Sequence, residues 1–149
     1  MYLKNLKTQS TRWKVWLKQA KYDLSDAELC TQNAFYEWGC YQSEQCVEKY
    51  LKAVLVRSGY RPPKIHKISI LLGICNKVDR DFAQTQFLFR NIESFTFISR
   101  YPFLVPGENN SPHEYITKED ADSSIMEARE FYHKITDLFR NDILEEDDL

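Results

Sequence analysis

Residues 35–59 read "FYEWGCYQSEQCVEKYLKAVLVRSG", and the fold turns on how this stretch is arranged. Val47, Tyr50, Leu51, Val54 and Leu55 recur three and four positions apart, so in a helix they share one face. Gly59 supplies a residue that tolerates the left-handed turn ending a helix, and Pro62 and Pro63 prevent the helix from continuing. The spacing therefore predicts a helix over residues 35–58. Gly39 inside it costs about 1 kcal/mol relative to alanine, which points to close packing against another helix. Gln45, Glu48, Lys49 and Lys52 fall on a face turned away from Val47, Leu51 and Val54, and Tyr41 and Trp38 extend it. Such a stripe can hold a nucleotide by charge and stacking, form a subunit interface, or simply face water as an ion-paired surface.

Working outward, every proline lies at position 62, 63, 102, 106 or 112, so the remaining stretches are free to be helical. Upstream, Trp13, Trp16, Leu17, Ala20, Leu24 and Ala27 form an apolar stripe that predicts a helix over residues 10–31, with Asn33 as its break. Downstream, Ile68, Leu71, Leu72 and Cys75 predict a short helix over 67–76, and Phe82, Phe89, Ile92 and Phe95 a longer one over 80–99. Residues 100–116 carry three prolines and read as a loop of a length usually found where a chain does its work. Thr117, with Asp120 three positions on, forms a capping box that opens a last helix reaching about residue 140. Its apolar stripe is Ala121, Ile125, Ala128, Tyr132, Ile135 and Phe139. The expected fold is all-α: an up-down bundle of four long helices plus one short helix.

A length of 149 residues suits one domain, with an ordered core over about 10–140 and a frayed acidic tail over 141–149. No apolar run reaches the roughly 18–20 residues of a membrane span, and the first ten residues lack the apolar core of a signal peptide. A cytoplasmic protein is the expectation. Cys30, Cys40, Cys46 and Cys75 have spacings that suit neither a disulfide framework nor a zinc site, and they read as small buried hydrophobes. His66, His113 and His133 are far apart and lack paired acids, so neither a metal nor another cofactor is expected. His113 and His133 read as exposed. The net charge of −2 hides an asymmetry: Lys4, Lys7, Arg12, Lys14, Lys18 and Lys21 all precede the first acid, Asp23, while the last nine residues hold five acids. A solvated helix face and tail explain this more simply than a nucleic-acid patch. The four glycines, at 39, 59, 73 and 107, are scattered, so there is no phosphate-cradling loop and nucleotide transfer by this chain itself is not expected.

Several segments, taken in order, resemble the HEPN domain family, in its prokaryotic branch associated with minimal nucleotidyltransferases. "YQSEQCVEKYLKAVL" is similar to its glutamine-pair and "VEK-x-LKA" pattern, and "PPKIHKISIL" to its "P-K-T-H-D-L" turn. "SRYP" and "EYITKEDADSSIMEARE" are similar to its "RYP" and "Y-T-x-EDA" segments. The chain departs from that pattern at Glu44, where a glutamine is usual, at Ile65 and at Lys67. The resemblance implies a helical bundle, a homodimer, and nucleotide or RNA as ligand. It implies a nucleotidyltransferase partner in a toxin–antitoxin-type module. The candidate residues for nucleotide or RNA are Gln45, Lys49, Lys52, Lys64, Arg100 and Tyr101.

Some members of the family are metal-independent endoribonucleases bearing an R-x4–6-H motif. Arg61 and His66 meet that spacing, and metal-free RNA cleavage needs a proton-transfer group and a cation on the phosphate. Pro62 stands where a polar residue is usual, and a residue before proline is pushed out of helical geometry. The match therefore reads as accidental, with His66 anchoring its turn, and the chain as more consistent with a non-catalytic role. Arg100 has the blander option of pinning the loop to a carboxylate such as Glu108. Three functions stay open: a nucleotide- or RNA-binding protein beside a nucleotidyltransferase, an active endoribonuclease toxin using Arg61 and His66, and a non-catalytic adaptor.

Overall fold

The computed structural model describes residues 12–141. The expectations for Lys4 and Lys7, for a helix start at residue 10, and for the acidic residues after 141 lie outside the described residues.

Helix α1 (Arg12–Gln32) is followed by α2 (Tyr36–Arg57) across a three-residue turn. Asn33 begins that turn and Ala34 takes the left-handed conformation, φ 63°. The Phe35 amide reaches back to the Cys30 carbonyl at 2.8 Å, closing the end of α1. At the end of α2, Gly59 adopts φ 87°, and the Tyr60 amide bonds the Leu55 carbonyl at 3.0 Å. The two prolines then carry the chain to α3 (Ile68–Val78), which runs into a single turn, α4 (Arg80–Gln84). Two 3₁₀ turns, Ile92–Phe95 and Pro102–Leu104, precede the short α5 (Pro112–Tyr115) and the long α6 (Lys118–Leu138). The protein is an all-α bundle. Its four longest helices are α1, α2, α6 and α3, the last being the segment expected as the short helix, and among the described residues no β-strand is present.

α2 is the central rod. Val47, Tyr50, Leu51, Val54 and Leu55 are buried as expected, and so are Ser43, Glu44, Glu48 and Lys52 from its other side. A single core joins α1, α2, α3 and α6, with Trp13, Ala20, Leu71, Cys75, Phe82, Phe131 and Ile135 among its members. Phe131, fully buried, is the hub of an aromatic cluster, its ring 6.1 Å from Tyr50, 6.1 Å from Phe82, and 5.0 Å from both Phe87 and Phe89. At Gly39, α2 packs tightly on α1 and α6: a Cβ there would collide with Thr31 Oγ1 and stand 3.4 Å from Ala121 Cβ. Thr117 and Asp120 form the capping box at the head of α6, with reciprocal bonds of 3.2 and 2.9 Å.

The expected helix over 80–99 does not form as one piece. α4 stops after one turn, Gln86 takes the left-handed φ of 49°, and residues 86–89 have no regular secondary structure. Phe87 and Phe89, two apart, both reach Phe131, which a helix could not arrange. The carboxylate of Glu127 on α6 then accepts the amides of Arg90, Asn91 and Ile92 at 2.6, 3.0 and 2.9 Å. Those bonds from another helix replace the intrahelical ones.

No described helix is long and apolar enough to cross a membrane. The four cysteines are free thiols; Cys40, Cys46 and Cys75 are buried and Cys30 is half-buried. Burial pushes the Cys40 thiol up to about 12, and those of Cys46 and Cys75 higher still.

Candidate functional site

The break at residues 85–91 sends the chain back across the first half of α2, so that the helical turns of residues 92–101 face Tyr41, Glu44 and Gln45. The proline turn ending at His66 and the start of α3 close the third side. A cleft of about 620 Å³ lies between them. α2 lines it with Tyr41, Glu44 and Gln45, the turn and α3 with His66, Lys67 and Ile68, and the facing segment with Glu93, Thr96, Phe97, Arg100 and Tyr101.

Arg100 is one of the two cations lining this cleft, with Lys67. Its guanidinium lies 4.7 Å from the Tyr41 ring centre, 5.1 Å from Tyr101 and 5.8 Å from Phe97, all within the range of cation–π attraction. Its Nε donates to the Thr96 carbonyl at 3.0 Å, which fixes the plane of the fork. Among the described residues no carboxylate is ion-paired with it, so the expected pin to Glu108 is absent and the two terminal nitrogens remain available. A planar fork stacked on rings and lacking a carboxylate partner suits an incoming anion.

His66 lines the same cleft with its side chain 75% exposed. Its Nδ1 lies 2.9 Å from Glu48 Oε1, and Lys52 Nζ donates to that same oxygen at 2.7 Å. Glu48 and Lys52 are both buried, so they form an internal ion pair on which the imidazole rests. A carboxylate at Nδ1 selects the tautomer with the proton there, leaving Nε2 as the nitrogen open to a ligand.

Glu44 is 1% exposed. Gln45 Nε2 donates to its Oε2 at 3.0 Å and stands 3.5 Å from Glu48 Oε2. Burial, foremost, pushes the Glu44 carboxyl up to about 7. The Glu48 charge adds to this, and Gln45, Arg100 and His66 oppose it. Glu93 accepts the Ser69 amide at 2.6 Å and so caps the first turn of α3.

The structure thus brings together Gln45, His66, Arg100 and Tyr101 from the residues singled out in the sequence, and places the others elsewhere. Arg61 is exposed and does not line the cleft that holds His66. Lys64 is exposed, also outside the lining. Lys49 bonds Asp23 on α1, and Lys52 bonds Glu48, so both cations are engaged inside the bundle. The expectation that Gln45, Glu48, Lys49 and Lys52 form a face turned away from the core is corrected: that side of α2 packs on α1 and under the proline turn, and Glu48 and Lys52 are buried. His113 is exposed, as expected, and its Nδ1 lies 3.0 Å from both oxygens of the buried Glu37. His133 is exposed. Among the described residues no group of three or more His, Cys, Asp or Glu could hold a metal ion. Glu93, Thr96 and Phe97 went unnoticed in the sequence because a continuous helix over 80–99 gives no reason to aim them at α2.

The sequence pattern of the HEPN domain matches residues 13–138. The chain is 29% identical over 137 residues to the candidate toxin MJ1304 of Methanocaldococcus jannaschii, covering 85% of this chain and 88% of that protein. Among solved structures, the archaeal HEPN homologue ST0689 is 28% identical with a TM-score of 0.61, covering 83% of this chain and 94% of that one. TT1696 from Thermus thermophilus shares the fold at a TM-score of 0.71 and 20% identity, covering 85% of this chain and 98% of that one.

Proposed function

The chain belongs to the HEPN domain family, and from that membership we propose that its cleft binds a nucleotide or a short stretch of RNA. The protein would act beside a minimal nucleotidyltransferase in a toxin–antitoxin-type module. The observation that carries the reading is Arg100, a guanidinium held by three rings and one carbonyl with its remaining donors free. In this reading Arg100 and Lys67 take the phosphate, and a base stacks on Tyr41 or Tyr101. Gln45 and His66 Nε2 supply polar contacts at the edge. Similarity to a candidate toxin supports the module. The free cysteines suit a reducing cytoplasm.

Calorimetric titration with mononucleotides and with short RNA tests this. Binding is expected, and Arg100→Ala should weaken it by about 10- to 100-fold, the loss of a charge-assisted fork. An Arg100→Ala variant that binds as well as the unaltered protein would remove the reading. Co-purification with a nucleotidyltransferase encoded beside this chain tests the partnership.

A second reading is supported by the Glu48–His66 contact: an imidazole oriented by a buried carboxylate is equipped to move a proton. In that reading the protein is a metal-independent endoribonuclease. Cleavage of RNA in EDTA, lost in His66→Ala, would support it. Comparing Arg61→Ala with Arg100→Ala then identifies the arginine that serves the phosphate.

A further inference from the structure

The cleft contains one group that the binding reading leaves without a role. Glu44 is almost wholly buried, yet it forms part of the cleft wall. Among the described residues its single hydrogen-bond donor is Gln45 Nε2, at 3.0 Å to Oε2. An ionised buried carboxylate needs several donors or a close cation. Of the cations near it, Lys52 donates to Glu48 and His66 rests on Glu48. Arg100 is held on rings and the Thr96 carbonyl, makes no hydrogen bond to Glu44 among the described residues, and opposes the rise only through its charge. Two further carboxylates adjoin it: Glu48 on its own helix, and Glu93 across the cleft, which caps the Ser69 amide. Lys67, Tyr41 and Tyr101 complete the titratable groups around it. Placing a phosphate in this space adds a negative charge beside a carboxyl group that already lacks stabilisation.

We propose that Glu44 makes the cleft proton-linked: the ligand, a phosphate ester bearing an aromatic base, binds with Glu44 as the neutral carboxylic acid, its free Oε1–H donating into the cleft. This rests on the cleft being the binding site. Burial already holds the carboxyl at about 7 in the empty cleft, so the group is half-ionised near neutral pH. An anionic ligand drives it toward the neutral form, and one proton is taken up with each ligand bound above that point. Affinity then falls about tenfold for each pH unit above about 7. His66 lines the same cleft, so the test must separate the two groups.

The experiment is calorimetric titration in two buffers of different ionisation enthalpy, which counts protons taken up. The probes are the dinucleotide ApA, standing for RNA, and the methyl ester of adenosine monophosphate, standing for a free nucleotide. Each carries one phosphodiester charge that does not titrate near neutrality. At about one pH unit above neutral, the unaltered protein should take up a proton with whichever probe binds. Glu44→Gln, a permanent mimic of the neutral acid, should bind with an affinity independent of pH and take up none, while His66→Gln should still take up a proton. Binding without proton uptake overturns the inference and leaves the cleft reading standing. Uptake that persists in Glu44→Gln and vanishes in His66→Gln also overturns it, by assigning the proton to the imidazole. Failure of both probes to bind at any pH overturns the cleft reading and this inference together.

Discussion

At Glu44 the protein keeps a carboxyl group 1% exposed with one donor, and that has a consequence for stability as well as for binding. Its ordinary value of 4.5 rises to about 7 in the fold. The folded state therefore holds a proton that the unfolded state has already released across that window, and stability falls as pH rises from 4.5 to about 7. The full penalty, on the order of 3 kcal/mol, is present above the folded value. Glu44→Gln should thus raise the thermal midpoint at about pH 8 and leave it nearly unchanged at about pH 5, read by differential scanning fluorimetry at both values. An equal shift at both pH values would mean the carboxyl is not the group that titrates. Glu48 and Lys52 are the opposite case, a buried pair whose charges answer each other at 2.7 Å. Lys52→Ala leaves Glu48 with the largely exposed His66 and the distant Gln45 amide as partners, and should cost about 3–5 kcal/mol in urea denaturation. In the sequence Glu44 is visible only as a departure from a glutamine-pair pattern, because no spacing rule tells a buried acid from a solvated one. Gln45 was singled out by helical spacing, Arg100 and Tyr101 by their place at the start of the long loop, and His66 by its spacing to Arg61. Their meeting in one cleft was not, since it depends on where the chain turns between residues 85 and 91.

Whether a segment becomes a helix here is decided by tertiary bonds more than by propensity. Residues 86–89 give up helical geometry because Phe87 and Phe89 gain contact with Phe131 on the same side, and Glu127 then satisfies three amides that a helix would have satisfied internally. The apolar period of 80–99 fits both outcomes, so the sequence could not separate them; the information sits in Glu127 and Phe131, about 40 residues further on. Phe131 itself was passed over in favour of Tyr132, its neighbour on α6. The two long helices before the proline turn and the capped one at the end were legible because their caps and stripes are local. Two substitutions test these points. Glu127→Ala strands the amides of Arg90, Asn91 and Ile92, and should cost about 2–3 kcal/mol while loosening residues 90–92 in hydrogen exchange. Gly39→Ala gains helix propensity but drives a methyl into the Thr31 hydroxyl, and a net loss of about 1–3 kcal/mol is expected. A stabilised Gly39→Ala protein would show that Thr31 can turn aside at no cost.

Taken as one body, the bundle has an apolar surface that its own helices do not cover. Phe97, Tyr101, Phe103 and Leu104 lie within eight residues of chain and are 60, 40, 81 and 41% exposed. The Tyr101 and Phe103 rings are 5.9 Å apart, so they form one patch rather than scattered side chains. Single exposed apolar residues are ordinary on a monomer, whereas a cluster of large ones marks a contact surface. The patch adjoins the cleft, because Phe97 and Tyr101 belong to both. Residues 111–116 are anchored to the head of α2 by His113 on Glu37, which limits how far the intervening loop can fold over the patch to hide it. We propose a second copy of the chain, the homodimer implied by the resemblance, as its occupant. Sedimentation should therefore give a dimer. Phe103→Asp, at a residue that does not line the cleft, should shift it to monomer with helical circular dichroism unchanged. Because the patch shares two residues with the cleft, the monomeric variant should also bind the nucleotide probes with altered affinity. A dimer that survives Phe103→Asp would move the interface to another face. A variant that dissociates yet binds as before would separate the patch from the cleft.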